Sequence, residues 1–320
     1  MFKARRWFSA TVLVLGSLTF IYLLISFGPR LVWDQLRRFG WGFALVLPFQ
    51  ILDHMVNALG WRFAFTRADA ARVSFWRLVK VRIAGDGVNY LTPSGNIAGE
   101  FVRPAMMGEC VPYDAMVTSV IIAKAAQAWG QALFVLVGLA WLLHDRSYSF
   151  QGRQAWWATL SMGVIIGGVA LVVWALTAEP PDWLSRRFPA AVASTVGPRR
   201  RLREFLRRHP ARLVLSTLCF ILGYAWGAAE IWLIANLMGL DLSGRQALTI
   251  EFLSNVIDAM MFMVPAKIGT QEAGKAVIFS GLGLAPSAGF TLAIIRHARE
   301  LIWAAGGFLF FAAHQRKLKT

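Results

Sequence analysis

Residues 86–103 read DGVNYLTPSGNIAGEFVR and place charges, glycines and a proline inside an otherwise apolar segment. Residues 258–275 read DAMMFMVPAKIGTQEAGK and keep the same spacing, Asp-x6-Pro-x6-Glu-x2-Arg/Lys, 172 positions later. The same offset joins Lys124 in IIAK to Arg296 in AIIR. Agreement of several polar positions at one offset indicates an internal repeat, and a repeat constrains the fold of the whole chain.

The composition is that of a polytopic membrane protein. Of the 320 residues 57% are hydrophobic, and the mean hydropathy is +0.53. The net charge of +16 comes from Lys and Arg clustered between apolar segments, as in the cytoplasmic loops of membrane proteins. We therefore expect no nucleic-acid binding, since no soluble basic domain is visible.

Six segments are long and apolar enough to be membrane spans, which need about 20 residues each. They cover residues 8–27, 41–65, 113–143, 155–177, 211–238 and 286–313. The first has no A-x-A cleavage site, so we interpret it as a retained span rather than a signal peptide.

Two further apolar segments, residues 74–108 and 246–283, are interrupted by Pro and Gly near their middles. Each is long enough for two half-length helices and a turn, so each predicts a re-entrant helical hairpin. Such irregular backbone is tolerated at membrane depth where protein or a water-filled cavity surrounds it. The predicted turn residues are Pro93, Gly95, Pro265 and Gly269.

Loop charge predicts the topology. Basic residues before the first span, in the loop 178–210 and after the last span place both termini and that loop in the cytoplasm. The repeats are then residues 1–154 and 155–320, with three crossings each, so the second is inverted. The predicted fold is an all-α membrane protein with a 3+3 inverted repeat, as in many transporters.

Glu100 and Glu272 are the leading functional candidates because an ionisable group inside a membrane is costly. Each lies in the first turn of a returning half-helix, and Arg103 or Lys275 follows three residues later, on the same face. Either the pairs bind substrate or exchange protons, or they are ion pairs that close the hairpins. Asn96 is a further candidate, as a substrate ligand or as a helix cap.

The third and sixth spans carry further charges. Lys124 and Arg296 need partners at this depth, which are either the hairpin carboxylates or a substrate phosphate. Arg299 and Glu300 lie near the same helix face as Arg296 and join the candidate substrate-binding set.

Several other polar residues are weaker candidates. Asp86 and Asp258 are either solvated or capping carboxylates or parts of the site. Asp53 with His54, in the second predicted span, indicates a buried polar pair or a proton relay, and Glu230 is isolated in the fifth. We predict no metal, no cofactor and no catalytic residue, because H-x-x-E at His297 has no other ligands and no nucleotide or hydrolase motif is present.

Four runs together resemble the flippase-like family, the membrane region of lysylphosphatidylglycerol synthases and their stand-alone relatives. They are NYLTPSGNIAGEFVRPAMM, VTSVIIAKAAQAWGQALFVLVGLAWLL, VPAKIGTQEAGKAVIFSGLGL and IIRHARELIW. The chain looks most similar to stand-alone members such as hopanoid-biosynthesis-associated membrane proteins. The resemblance covers about residues 40–310, and it implies transfer of a lipid between leaflets or onward for export.

We therefore expect a lipid flippase or lipid transporter of the bacterial inner membrane, rather than an enzyme. The aminoacyl-transferase domain of the synthases has no counterpart after the last span, so we expect no lipid aminoacylation. The substrate would be an anionic phospholipid or a hopanoid-type lipid, and the partners a second copy of the chain or lipid-synthesis proteins. The alternatives are a membrane-embedded lipid-modifying enzyme and a non-transporting scaffold of a lipid synthesis or export complex.

Overall fold

A computed structural model describes most of the chain. It covers residues 21–22, 25–26, 28–91, 98–107, 110–144, 181–187, 189–260 and 267–317, with single residues at 160, 163, 164, 167, 168, 171, 178 and 264. The predicted first and fourth spans, 8–27 and 155–177, lie almost entirely outside these residues. So do the predicted turn residues Pro93, Gly95 and Pro265, and Asn96.

The described residues form helices and no strand. The helices are α1 Pro29–Phe39, α2 Phe43–Phe63, α3 Arg67–Ala71, α4 Phe75–Leu91, α5 Ala98–Met107, α6 Tyr113–His144, α7 Asp182–Arg187, α8 Pro189–Arg208, α9 Pro210–Leu237, α10 Gly244–Met260, α11 Thr270–Gly281 and α12 Pro286–Lys317. The basic connection between the fourth and fifth predicted spans is therefore helical where it is described, as α7 and α8.

Three long helical segments are apolar enough to cross a membrane among the described residues, at Pro29–Phe63, Tyr113–Leu142 and Pro210–Leu237. They include the predicted second, third and fifth spans. The predicted sixth span corresponds to α12, which has 32 residues and carries the Arg296–Glu300 charges. These helices confirm an all-helical, multi-pass membrane protein.

The two interrupted segments each form a pair of short helices. Asp86 of α4 contacts Arg103 of α5, and Asn89 contacts Glu100, so these helices run antiparallel. In the second segment Ile257 of α10 lies against Gly274 of α11. The chain therefore reverses direction between the helices of each pair, as the Pro- and Gly-containing interruptions predict.

Polarity is distributed in the opposite way to that of a soluble protein. Large apolar side chains such as Val137, Leu222 and Leu309 are exposed, whereas Arg103 and Glu230 are each only 1% exposed. Apolar surface on long helices suits contact with lipid tails. The interior charges must then be compensated within the protein, because no water reaches them from the lipid side.

Contacts divide the chain into two units. The first comprises residues within Met1–His54, Lys80–Met106 and Tyr224–Thr320, and the second those within Met55–Val79 and Met107–Gly223. In the first, Val46, Ile231, Ile250, Phe279 and Leu292 belong to one buried apolar cluster.

The second unit has its own buried contacts between long helices. Trp61 of α2 donates its indole N–H to Ser119 of α6 over 3.2 Å. Ser216 of α9 donates to the carbonyl of Gly60 over 2.8 Å. These side-chain bonds between helices compensate polar groups inside an apolar bundle, where small and hydroxyl-bearing residues commonly line helix contacts.

In the first unit, α4 and α12 approach each other closely at small residues. A Cβ atom added at Gly307 would overlap the carbonyl oxygen of Ile83. One added at Gly87 would lie 2.6 Å from the carbonyl oxygen of Ala304. The absence of side chains at these positions lets the backbones meet, as at other small-residue contacts in membranes.

This contact predicts different effects for two neighbouring glycines. Gly307→Ala should destabilise the protein by about 1–3 kcal/mol, because the new methyl group forces the helices apart. Gly306→Ala is the matched control, since nothing lies within 4 Å of its added Cβ. It should leave stability unchanged or raise it by up to about 1 kcal/mol through helix propensity. Thermal unfolding of both purified variants tests this, and equal unfolding temperatures would contradict the close contact.

Candidate functional site

The first helix pair is closed by a buried arginine. Arg103 donates to Asp86 over 2.8 Å and to Glu100 over 2.7 Å. Arg82 lies 3.4 Å from the second oxygen of Asp86, one turn earlier on α4. Asn89 donates to Glu100 over 3.3 Å and accepts the amide N–H of Gly99 over 2.6 Å. One guanidinium thus joins carboxylates from both helices of the pair.

The second helix pair is closed differently. Lys267, in the turn, donates to Asp258 over 2.6 Å. Glu272 accepts the amide N–H of Gly269 over 2.8 Å, which caps the start of α11. Gly269 has a φ of 79°, a conformation that favours glycine. The other oxygen of Glu272 is 2.7 Å from Nδ1 of His297 on α12.

Helix α12 contributes two arginines to a buried network. Arg296 lies 2.7 Å from Glu251 of α10 and 3.1 Å from Glu230 of α9. Arg299 lies 2.8 Å from the other oxygen of Glu230 and 3.5 Å from Glu300. Each guanidinium can satisfy several carboxylate oxygens because it presents five donors in a planar fork. The network therefore connects three helices through charge-assisted bonds.

A cavity of about 200 Å³ lies beside this network, within the first unit. Helices α2, α4 and α12 line it. Its polar lining includes Gln50, His54, Asp86, Tyr90, Arg299, Glu300 and Trp303. Gln271 of α11 donates to Glu300 over 3.2 Å and so connects the second helix pair to the cavity wall.

The structure brings together most of the residues that sequence analysis selected. Glu100, Arg103, Glu272, Arg296, Arg299 and Glu300 all take part in the contacts described above. Lys275 is only 3% exposed on α11. Lys124 lies half-buried on α6, in the second unit. In the first repeat the Glu100–Arg103 pair predicted from spacing is formed, whereas Glu272 contacts Gly269 and His297.

Other residues of the network were missed. Glu251 is an acidic residue within an apolar helix, and this signal was available in the sequence. The repeat comparison did not find it, because Val79 occupies the equivalent position of the first copy. Arg82, Tyr90 and Trp303 were also missed, since ordinary helix positions do not reveal which side chains meet. Glu230 was noticed as isolated, and the structure shows two arginines beside it.

No group of three or more His, Cys, Asp or Glu side chains suited to a metal ion occurs in the described part of the chain. His297 faces Glu272 rather than a set of ligands. The contacts that are present are ion pairs and hydrogen bonds, and they can hold helices together or receive a polar group. Their concentration in one unit, next to a cavity, identifies that region as the candidate site.

The bonds of Glu272 predict a measurable contribution to stability. Glu272→Ala removes a helix cap, worth about 1 kcal/mol, and leaves His297 without its carboxylate, at about 1–3 kcal/mol, so a loss of roughly 2–4 kcal/mol is expected. Glu204→Ala is the control, because that carboxylate pairs with Arg208 on the same helix and its side chain is 49% exposed. If Glu272→Ala unfolds in detergent at the same temperature as wild type, these bonds contribute nothing to stability.

Comparison with known protein families identifies this chain. The family described as the lysylphosphatidylglycerol synthase TM region matches residues 9–306, nearly the whole chain. No curated protein and no solved structure gives a significant match. The resemblance to hopanoid-associated members, expected from the sequence, is not confirmed. Because this match spans residues 9–306, the chain belongs to the lysylphosphatidylglycerol synthase transmembrane-region family.

Proposed function

We propose that this protein is a lipid transporter that moves a polar-headed lipid between membrane leaflets. The observation that carries the proposal is a network of buried charges, built on two antiparallel pairs of half-length helices, inside a protein whose surface is apolar. Ionisable groups inside a membrane are rare, and they commonly mark substrate or ion pathways. The family description, which refers to the membrane region of a lipid synthase, supports a role in lipid biology.

In this proposal the two helix pairs are re-entrant hairpins in a 3+3 inverted repeat with six spans. They enter from opposite sides of the bacterial inner membrane, with both termini in the cytoplasm. The distribution of Lys and Arg between apolar segments supports this orientation. Short helices that meet inside the membrane suit transporters because one repeat can rock against the other around a central site.

Transport requires a path on which the headgroup never meets lipid tails. The polar-lined cavity between α2, α4 and α12 supplies one such place, while the acyl chains remain outside among the exposed apolar side chains. Glu100 bonds to Asn89 of the opposite helix and Glu272 bonds to His297 of α12, and these bonds hold the hairpins in a defined arrangement. Exchange of these partners during rocking would let the cavity open toward either leaflet. The energy source would be the lipid gradient or an ion gradient.

The test is transport in liposomes. The purified protein is reconstituted with fluorescent lipids, and a membrane-impermeant quencher reports the fraction in the outer leaflet over time. Glu100→Gln/Glu272→Gln should slow transport by roughly tenfold or more, which corresponds to about 1.4 kcal/mol of barrier. Glu204→Gln, on an exposed carboxylate, is the control and should transport at the wild-type rate.

Two results would contradict this proposal. In the first, liposomes with wild-type protein move lipid no faster than protein-free liposomes, across neutral, anionic and zwitterionic headgroups. In the second, the double variant transports as fast as wild type while remaining folded, which would remove the hairpin carboxylates from the mechanism.

A membrane-embedded lipid-modifying enzyme is the second candidate, and the Glu272–His297 contact favours it. A buried carboxylate 2.7 Å from an imidazole is an arrangement used in acid–base catalysis. The same liposomes distinguish the two functions. New lipid species detected by mass spectrometry, and lost in His297→Gln, would support an enzyme. Movement of chemically unchanged lipid would support transport.

A further inference from the structure

The cavity between α2, α4 and α12 contains donors that the surrounding protein leaves unsatisfied. His54 is 9% exposed, and its Nε2 has no hydrogen-bond partner among the described residues. The same holds for Nε1 of Trp303 on α12. The rings of His54 and Trp303 pack edge to face, with centroids 4.8 Å apart. Two such groups in contact at one cavity are unusual, because buried polar atoms are nearly always bonded.

The acceptors on the cavity wall are carboxylates that already have cations. Asp86 is bonded to Arg103 over 2.8 Å and lies 3.4 Å from Arg82. Glu300 lies 3.5 Å from Arg299 and accepts from Gln271. A carboxylate has about four lone-pair sites, so each can accept a further hydrogen bond. The charges around the cavity are therefore paired within the protein, while hydrogen-bonding capacity remains.

This combination selects against charged ligands. A phosphate would accept from His54 and Trp303, but it would place negative charge beside Asp86 and Glu300, whose cations are already engaged. An ammonium group would suit the two carboxylates and the aromatic rings, but it would leave the two donors without an acceptor. A hydroxyl group accepts and donates at once, and so it satisfies both sets without adding charge.

The size of the cavity agrees with a small polyhydroxylated group. Its volume of about 200 Å³ is the space of about seven water molecules, at about 30 Å³ each. A three-carbon polyol or a single sugar ring has a comparable volume. Asp86 has 35% of its side chain exposed and so remains accessible to such a group.

We propose that this cavity binds an uncharged, hydroxyl-rich group, a polyol or a single glycosyl unit. His54 and Trp303 donate to its oxygens, and Asp86 and Glu300 accept from its hydroxyls. The identification of this group as the headgroup of a transported lipid rests on the lipid transport proposed above. The binding itself does not require transport.

The test measures lipid binding to the full-length protein by native mass spectrometry. The probes share the same acyl chains and are monoglucosyl diacylglycerol, phosphatidic acid and plain diacylglycerol. The glycolipid should bind roughly tenfold more tightly than either of the others, a difference of about 1.4 kcal/mol. Phosphatidic acid binding as tightly as the glycolipid would overturn the proposal, and so would diacylglycerol doing so.

Variants localise the binding. His54→Phe and Trp303→Phe keep an aromatic ring and remove the N–H, and each should weaken glycolipid binding several-fold while leaving phosphatidic acid binding unchanged. Trp232→Phe, at a residue 47% exposed on α9, is the matched control and should bind as wild type. Unchanged glycolipid binding in folded His54→Phe/Trp303→Phe would show that the lipid lies elsewhere and that the cavity holds water alone.

Competition with free methyl glucoside distinguishes the source of the hydroxyls. Displacement of the glycolipid by millimolar glucoside shows that the cavity recognises the sugar itself, and a free polyol is then a ligand in its own right. Displacement only by the intact glycolipid shows that the lipid form is the ligand. Either result supports the hydroxyl chemistry.

Glycolipid binding without transport would contradict the proposed function alone, and transport of other lipids without glycolipid binding would contradict this inference alone.

Discussion

The structure depends on the pairing of charges that its apolar exterior cannot solvate. Arg296 between Glu251 and Glu230 shows the constraint most clearly, since all three are largely buried. Removing one member of such a set leaves another charge uncompensated, which costs far more than the pair contributes. The ion pairs therefore constrain how the helices pack more than they stabilise the fold. Helices α9, α10 and α12 must lie close enough together for every charged side chain to be paired.

The two repeats meet this condition in different ways. In the first, Arg103 joins Asp86 and Glu100 within one helix pair. In the second, Lys267 in the turn forms an ion pair with Asp258 of α10, and Glu272 bonds to His297 on α12. The ion pairs of Arg103 lie within the first helix pair, whereas the second helix pair also bonds to the neighbouring long helix α12.

Much of this arrangement was predictable from periodicity and repetition. The long helices α2, α6, α9 and α12 follow from apolar length, and the paired short helices follow from the Pro and Gly residues that interrupt two such segments. The Glu100–Arg103 contact follows from spacing on a helix. The contact between Arg296 and Glu251 was not predictable, because it depends on how α10 packs against α12. A repeat search also misses residues present in one copy, and His54 and Trp303 meet only through tertiary packing.

A double-mutant cycle on Glu251 and Arg296 tests the central claim most directly. The free energy of unfolding is measured for wild type, Glu251→Gln, Arg296→Gln and the double variant under one detergent condition. If the buried pair constrains the fold, each single variant loses roughly 3–5 kcal/mol, and the double variant loses clearly less than the sum. Losses that add to within about 0.5 kcal/mol would contradict the account, because the two charges would then be energetically independent.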